Sequence, residues 1–222
     1  MRLGEITFNS QDKIKNAKLD LRYLLNQNYR KKVALNFVAN HYLLNKNCRN
    51  YLARSVFSDS VSQSRKSKLV NLEDIKDSIL FLDGYNVIIT VESILNNDKI
   101  VLADDGIIRD TQAVFGKYKF REITISALTL IFDFISIHRP KNIEFYLDKQ
   151  VSFSGKLAHE IETMLKNYDL NGRTILSNNV DYHLVQECSK SICIIGTSDG
   201  VIVDNVEKIV DIPHLILKKL KN

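Results

Sequence analysis

Only two prolines and eight glycines occur in the 222 residues, too few for collagen-like or low-complexity material and few for the turns of a many-hairpin all-β protein. No apolar run approaches the roughly 20 residues that a membrane-spanning helix needs. The longest stretch without charge, residues 33–45, still contains Asn36, Asn40 and His41, so no membrane partner is expected. Arg2, Glu5, Asp12 and Lys13 interrupt the start of the chain, which leaves no room for a secretory leader and makes the cytoplasm the expected location. Three cysteines, Cys48, Cys188 and Cys193, form neither an even disulfide framework nor a zinc knuckle and are read as reduced structural thiols. The histidines at 41, 138, 159, 183 and 214 share no helical or finger spacing, which argues against a histidine-ligated zinc hydrolase.

What is present is an ordinary globular balance, 45% hydrophobic and 26% charged, that excludes disorder as the main state. Charge is unevenly distributed. Residues 1–70 carry 14 Lys and Arg against 4 Asp and Glu, an excess of +10, while the rest of the chain carries 17 against 22, or −5. A basic module that meets a polyanion, joined to an acidic module with another task, is the expectation. In the basic part, residues 13–26, 30–45 and 47–57 show apolar positions at helical intervals, such as Leu21, Leu24, Leu25 and Val33, Phe37, Val38, and predict a small helical bundle. Arg30, Lys31 and Lys32 at a helix start, followed by Arg49 and Arg54, are candidate nucleic-acid contacts. The serine-rich stretch 58–71 reads as a linker, dividing the chain into domains 1–70 and 71–222.

From residue 77, β-rich runs alternate with helical patterns: SILFL, VESIL, a helix near 121–137, IEFYL, a helix at 156–167, TIL, a helix at 181–189, ICIIG, VIV, IVDI and a terminal helix near 213–221. The fold class expected is therefore α/β, a mainly parallel sheet flanked by helices, preceded by a small basic all-α domain. KIVLADDGIIRD interrupts the alternation as a hairpin with Asp105 and Gly106 at its turn.

A parallel sheet opens the carboxyl ends of all its strands onto one edge, where ligands bind. Three apolar runs end there in aspartate: FLD at Asp83, FYLD at Asp148 and IIGTSD at Asp199, with Asp181 opening the helix before the last. Each alone could be a cap or turn residue. Together, carboxylates that repel one another point to a bound cation, and oxygen ligands with few His or Cys select Mg²⁺ or Mn²⁺. Glu92, Asp104, Asp105 and Asp110 are further candidates.

FLDGYNVIIT, residues 81–90, resembles the first strand of the NYN branch of the PIN-like nucleases, and Asp181 followed eighteen residues later by Thr197, Ser198 and Asp199 resembles that family's second acidic element. The basic front and this domain together look like an uncharacterised, chiefly archaeal two-part family. The resemblance implies a PIN-like domain in which Asp83 is the first metal ligand, Asn86 orients it or a phosphate, and Asp181 and Asp199 complete the cluster. Either Glu92 or Asp148 takes the place of the second carboxylate. Ser152, Ser154 and Gly155 precede a helix whose free N–H groups suit a phosphate, although Ser154 could equally be a cap. Thr197, Ser198 and Asp204 would support the cluster. The implied activity is metal-dependent phosphodiester hydrolysis, with RNA as the expected substrate, the helical domain as its grip, and a homodimer as an open option. The competing expectation is an inactive PIN-like binding or regulatory protein. An aspartyl-nucleophile phosphatase is disfavoured by Tyr85 two residues after Asp83, and a dinucleotide enzyme by the lack of G-x-G-x-x-G after any strand.

Overall fold

The computed structural model describes residues 8–111 and 118–221, so the expectation drawn from residues 1–7 lies outside the described part. The chain forms two compact units, one from residues 8–66 and 101–111, the other from 67–100 and 118–221.

In the first unit the helical periodicity is realised as α1 (Phe8–Asn26), α2 (Lys31–His41), α3 (Lys46–Ser55) and α4 (Asp59–Lys66). Ala17, Leu21, Leu25, Ala34, Val38, Ala39, Leu44, Leu52 and Val56 form its core. Asn45 starts α3 by accepting from the Cys48 N–H at 2.9 Å. The serine-rich segment is not an extended linker: α4 occupies residues 59–66 of it, with Ser62 and Arg65 buried, and the division between the two units falls within the segment, just after this helix. Asp59 in its first turn and Arg65 and Lys66 in its last complement the helix dipole, which serine content alone does not reveal. The interrupting segment pairs as β2 (Ile100–Leu102) and β3 (Ile108–Asp110), and its turn and second strand count with the helices. Gly106 takes φ 78° at the turn, a conformation open to glycine.

The second unit is a five-stranded sheet ordered β5-β4-β1-β6-β7, from β1 (Ile79–Asp83), β4 (Asn142–Asp148), β5 (Gly172–Ser177), β6 (Cys193–Gly196) and β7 (Ile209–Val210). Every neighbouring pair is parallel. The inner strands β1, β4 and β6 are largely apolar because helices cover both faces, whereas the edge strand β5, GRTILS, is only partly buried. Leu80, Leu82, Ile143, Phe145 and Leu147 share a core with residues of α5 (Gly84–Leu95), α6 (Glu122–His138), α7 (Ser154–Asn167) and α10 (Ile212–Lys221). On β1 and β4 the intervening residues include Phe81 and Tyr146, whose rings meet edge to face at 5.6 Å, and α8 (Val180–Lys190) contacts the same two strands. No described helix is long and apolar enough to cross a membrane.

Two β-rich runs are helical instead. VESIL is the end of α5, where Val87, Val91 and Ile94 recur at three- and four-residue spacing, and burial outweighs their strand preference. VIV lies in α9 (Gly200–Asn205), because Asp199 accepts from the N–H groups of Val201 and Ile202 and starts a helix there. The expectation of reduced thiols also fails in part. Cys188 in α8 and Cys193 in β6 form a disulfide, and Cys48 is free; five residues of separation gave no hint of a turn that brings them together.

The connections fix where a ligand belongs. From β1 the chain goes on to β4 and β5 on one side, then crosses to β6 and β7 on the other. The switch point therefore lies between β1 and β6, at their carboxyl ends.

Candidate functional site

Asp83 ends β1 and Thr197–Asp199 follow β6, so the switch point brings together residues 114 positions apart. Asp83 is 9% exposed, and its Oδ2 accepts the Thr197 hydroxyl at 2.9 Å. Thr197 Oγ1 in turn accepts the Asp199 N–H at 3.0 Å, making this threonine a bridge between two of the aspartates. Asn86, in the first turn of α5, accepts from both the N–H and the hydroxyl of Ser198, at 2.8 and 2.9 Å. The DGYN turn and the loop after β6 are thus tied by side chains as well as by the sheet. Gly84 lets the same turn pass close to β4: a Cβ there would lie 2.5 Å from Leu147 Cδ2 and 3.0 Å from the Tyr146 carbonyl oxygen.

Electrostatics identify which other carboxylates share this edge. Burial pushes the Asp83 carboxyl up to about 7, and Asp199 and Asp181 push in the same direction while the Thr197 bond partly opposes them. Asp181, more exposed in the first turn of α8, is raised by partial desolvation and then by Asp199 and Asp148. Asp148, Asp181 and Asp199 therefore act on the same region as Asp83. Asp148 Oδ1 accepts the Gln150 N–H at 2.8 Å, and Asp199 Oδ1 caps α9 through Val201 N at 2.7 Å. Among the described residues, no three His, Cys, Asp or Glu side chains gather closely enough to hold a metal ion between them. The oxygen-only donor set suits Mg²⁺ or Mn²⁺, and Mg²⁺ keeps several waters while taking one or two carboxylates directly.

Glu92 lies outside this group. Its Oε1 accepts from the hydroxyls of Tyr118 at 2.9 Å and Thr124 at 2.6 Å, and burial raises its carboxyl despite those bonds and nearby Arg121. Asp104 and Asp105 belong to the first unit, where arginines engage them. Arg22 reaches both oxygens of Asp104 at 3.1 and 2.8 Å. Asp105 is fully buried and takes two bonds from Arg109, each 2.8 Å, and one from Arg65 at 3.0 Å. Burial pushes its carboxyl up, but the two guanidiniums outweigh that and hold it below the usual range. Asp110 accepts from Arg54 at 2.6 Å.

The phosphate candidates separate as well. Ser154 is the first residue of α7 and is buried, its hydroxyl donating to the Lys149 carbonyl at 3.3 Å, so it is not the cap; Phe153, at φ 65°, occupies that position. Ser152 is exposed, and a Cβ on Gly155 would meet nothing within 4 Å, so this helix start is open. Asp204 lies in α9, where its carbonyl accepts from Lys68 at 3.0 Å. In the basic unit, Arg30 and Lys32 are exposed. Lys31 lies over the Phe57 ring at 3.6 Å and is lowered to about 8, first by burial and then by Arg65 and Arg109. Arg49 bonds the Leu44 carbonyl and Asn40, and Arg54 bonds Asp110, so both serve the fold.

Sequence reasoning passed over Tyr85. It is 2% exposed, its hydroxyl has no hydrogen-bond partner among the described residues, and burial together with Asp148 pushes it up to about 12. Its place in DGYN was visible, but its orphaned hydroxyl was not.

Comparison with known proteins matches two family models to the chain. A domain of unknown function, DUF5616, covers residues 72–215, and a protein family of unknown function, DUF434, covers residues 13–68. An uncharacterized protein of Methanocaldococcus jannaschii, MJ0935, is 40% identical over 210 residues, which are 94% of this chain and 98% of that one. No solved structure matches.

Proposed function

Because the chain belongs to the DUF5616 family, whose description carries no activity, we propose from the site itself that it is a PIN-like, metal-dependent nuclease acting on RNA. The observation that carries this reading is Asp83, buried and raised to about 7, bridged through Thr197 to Asp199 at the switch point of a parallel sheet, with Asp181 acting on both and Asp148 ending the neighbouring strand. A buried carboxyl of that kind is costly to ionise unless a cation faces it. Asp83 would hold Mg²⁺ or Mn²⁺ directly, with Asp199, Asp181 and Asp148 ordering its waters. Bound there, the ion would lower the pKa of a water and neutralise charge on the scissile phosphodiester. Thr197 fixes the Asp83 carboxylate, Asn86 holds the loop that carries Asp199, and the open N-terminus of α7 offers N–H groups to a phosphate. The basic unit supplies the positive surface for the polyanion.

The test is incubation of purified protein with labelled single-stranded RNA and Mg²⁺ or Mn²⁺. Wild type should cleave it, and Asp83→Asn and Asp199→Asn should each abolish cleavage. Cleavage that survives both substitutions, or none by wild type, would sink the nuclease reading. In the second case a PIN-like binding protein without turnover is the alternative, favoured by one observation: no three described carboxylates close around a common point.

A further inference from the structure

The first unit displays aromatic rings to solvent around the turn that joins α1 to α2. Tyr23 in the last turns of α1 is 65% exposed, Tyr29 in the turn is 55% exposed, and Phe37 on α2 is 66% exposed. An aromatic ring left in water forfeits the burial that makes it useful in a core, and a single exposed ring is ordinary. Here they recur beside exposed Arg30 and Lys32. The turn is held in place: the Tyr29 N–H donates to the Leu24 carbonyl at 3.1 Å, and Gln27 N–H to that of Tyr23 at 3.1 Å. Asn28, at φ 63°, adopts the left-handed conformation that asparagine tolerates. The rings therefore sit on a fixed scaffold, which lowers the ordering cost of binding.

Charge selects the occupant. Residues 21–58 contain no Asp or Glu, the flanking Asp20 and Asp59 being bonded to Tyr42 and Asn26; Arg22, Arg49 and Arg54 are held by bonds within the unit and Lys31 lies over Phe57, which leaves Arg30 and Lys32 as the exposed cations next to the turn. A protein partner would meet this surface with acidic groups alone, but rings interleaved with cations match a chain that alternates π-faces and phosphates. Duplex nucleic acid keeps its bases stacked inside and offers only phosphates; a single strand offers both. We infer that the α1–α2 turn is a single-strand platform, on which Tyr23, Tyr29 and Phe37 stack unpaired bases while Arg30 and Lys32 hold the intervening phosphates. This deepens the nuclease reading and rests on it for the choice of RNA, but not for the stacking itself.

The experiment measures binding of the full chain to a fluorescein-labelled oligouridylate of about 15 nucleotides, a length on the scale of a single-strand site. EDTA is present, so no metal-dependent cleavage can occur. Tyr29→Ala and Phe37→Ala should each weaken binding roughly 5- to 100-fold. Tyr29→Trp should restore it. Arg30→Ala and Lys32→Ala should each reduce the slope of log affinity against log salt by about 0.7, while the aromatic variants leave that slope unchanged. A duplex of equal length should bind more weakly than the single strand. Wild-type affinity in the alanine variants, equal affinity for the duplex, or no binding by wild type overturns the platform. So does sedimentation showing a dimer that Tyr29→Ala dissolves, since the face would then serve a second copy. Ring-dependent binding without cleavage would retain the platform and reject the nuclease, and cleavage without ring dependence would do the reverse.

Discussion

Replacing Asp83 with asparagine should make the protein more stable at neutral and alkaline pH, although it removes a residue from the centre of the candidate site. The carboxyl is buried and its folded-state value lies near 7, against 3.8 for the free group. For an acid raised on folding, the neutral form is the one the fold favours. Its contribution is complete below about 4 and is lost as pH rises through about 7, because the folded state must then carry a buried charge or shed it by unfolding. The full difference corresponds to roughly 4 kcal/mol at most, at about 1.4 kcal/mol for each factor of ten in acidity. Asparagine keeps the shape, and its one carbonyl oxygen can still accept the Thr197 hydroxyl and the Asn86 N–H that the carboxyl accepts, so the variant should retain most of the geometry while never ionising. Urea unfolding from pH 5 to pH 8.5 in EDTA should give midpoints that converge at low pH and separate progressively up to pH 8. Mg²⁺ or Mn²⁺ should then close the gap by stabilising wild type alone, by about 2.7 kcal/mol at a hundred times the dissociation constant. A pH-independent difference, or an asparagine variant less stable than wild type at pH 8, would refute the reasoning.

Other substitutions test neighbouring parts of the structure. Tyr85→Phe deletes a buried hydroxyl with no partner among the described residues, so stability should stay level or rise, by up to about 3 kcal/mol; a clear loss in chemical denaturation would mean the hydroxyl is engaged. Asp105→Ala removes a fully buried carboxylate from Arg65 and Arg109 and should cost about 3–5 kcal/mol, whereas Asp104→Ala, facing the part-exposed Arg22, should cost far less. Because Asp105 is held below its ordinary range, the stability it contributes is present above about pH 4 and should decline on acidification below that, a trend that circular dichroism titration can follow. Gly84→Ala should lower stability by roughly 1–3 kcal/mol, since Leu147 and the Tyr146 carbonyl leave no space for a methyl group, and thermal melts of the purified variant would show it.

The sheet was legible in the sequence because strands buried on two faces must be largely apolar, as β1 and β6 are up to their ends and β4 is apart from Glu144 and its two terminal residues. Parallel topology also places Asp83 and Asp148, the last residues of β1 and β4, at the same edge of the sheet. Short apolar runs were not legible. VESIL and VIV have strand composition, but a helix can bury such residues on every side, and only the cap at Asp199 decides the second. Serine content similarly concealed α4. Its end charges, Asp59 and Arg65 with Lys66, are a local signal that the serines masked, whereas the burial of Ser62 and Arg65 is a tertiary fact with no local signature.

The acidic candidates that sequence could not rank are separated by what lies opposite them. Asp104 and Asp105 sit in a hairpin tip that looked polar and exposed, yet Asp105 is fully buried, and arginines from residues 22, 65 and 109 neutralise the pair. Among the described residues no arginine or lysine pairs with Asp83; it accepts the Thr197 hydroxyl and the Asn86 N–H, and burial with the fields of Asp199 and Asp181 raises it nonetheless. A fold that only needed a polar residue at the end of β1 could use asparagine there without this penalty. An acid in the more expensive of the two environments is intelligible under the proposed reading, in which a cation faces it, and the stability difference between Asp83 and its amide without added metal measures that cost.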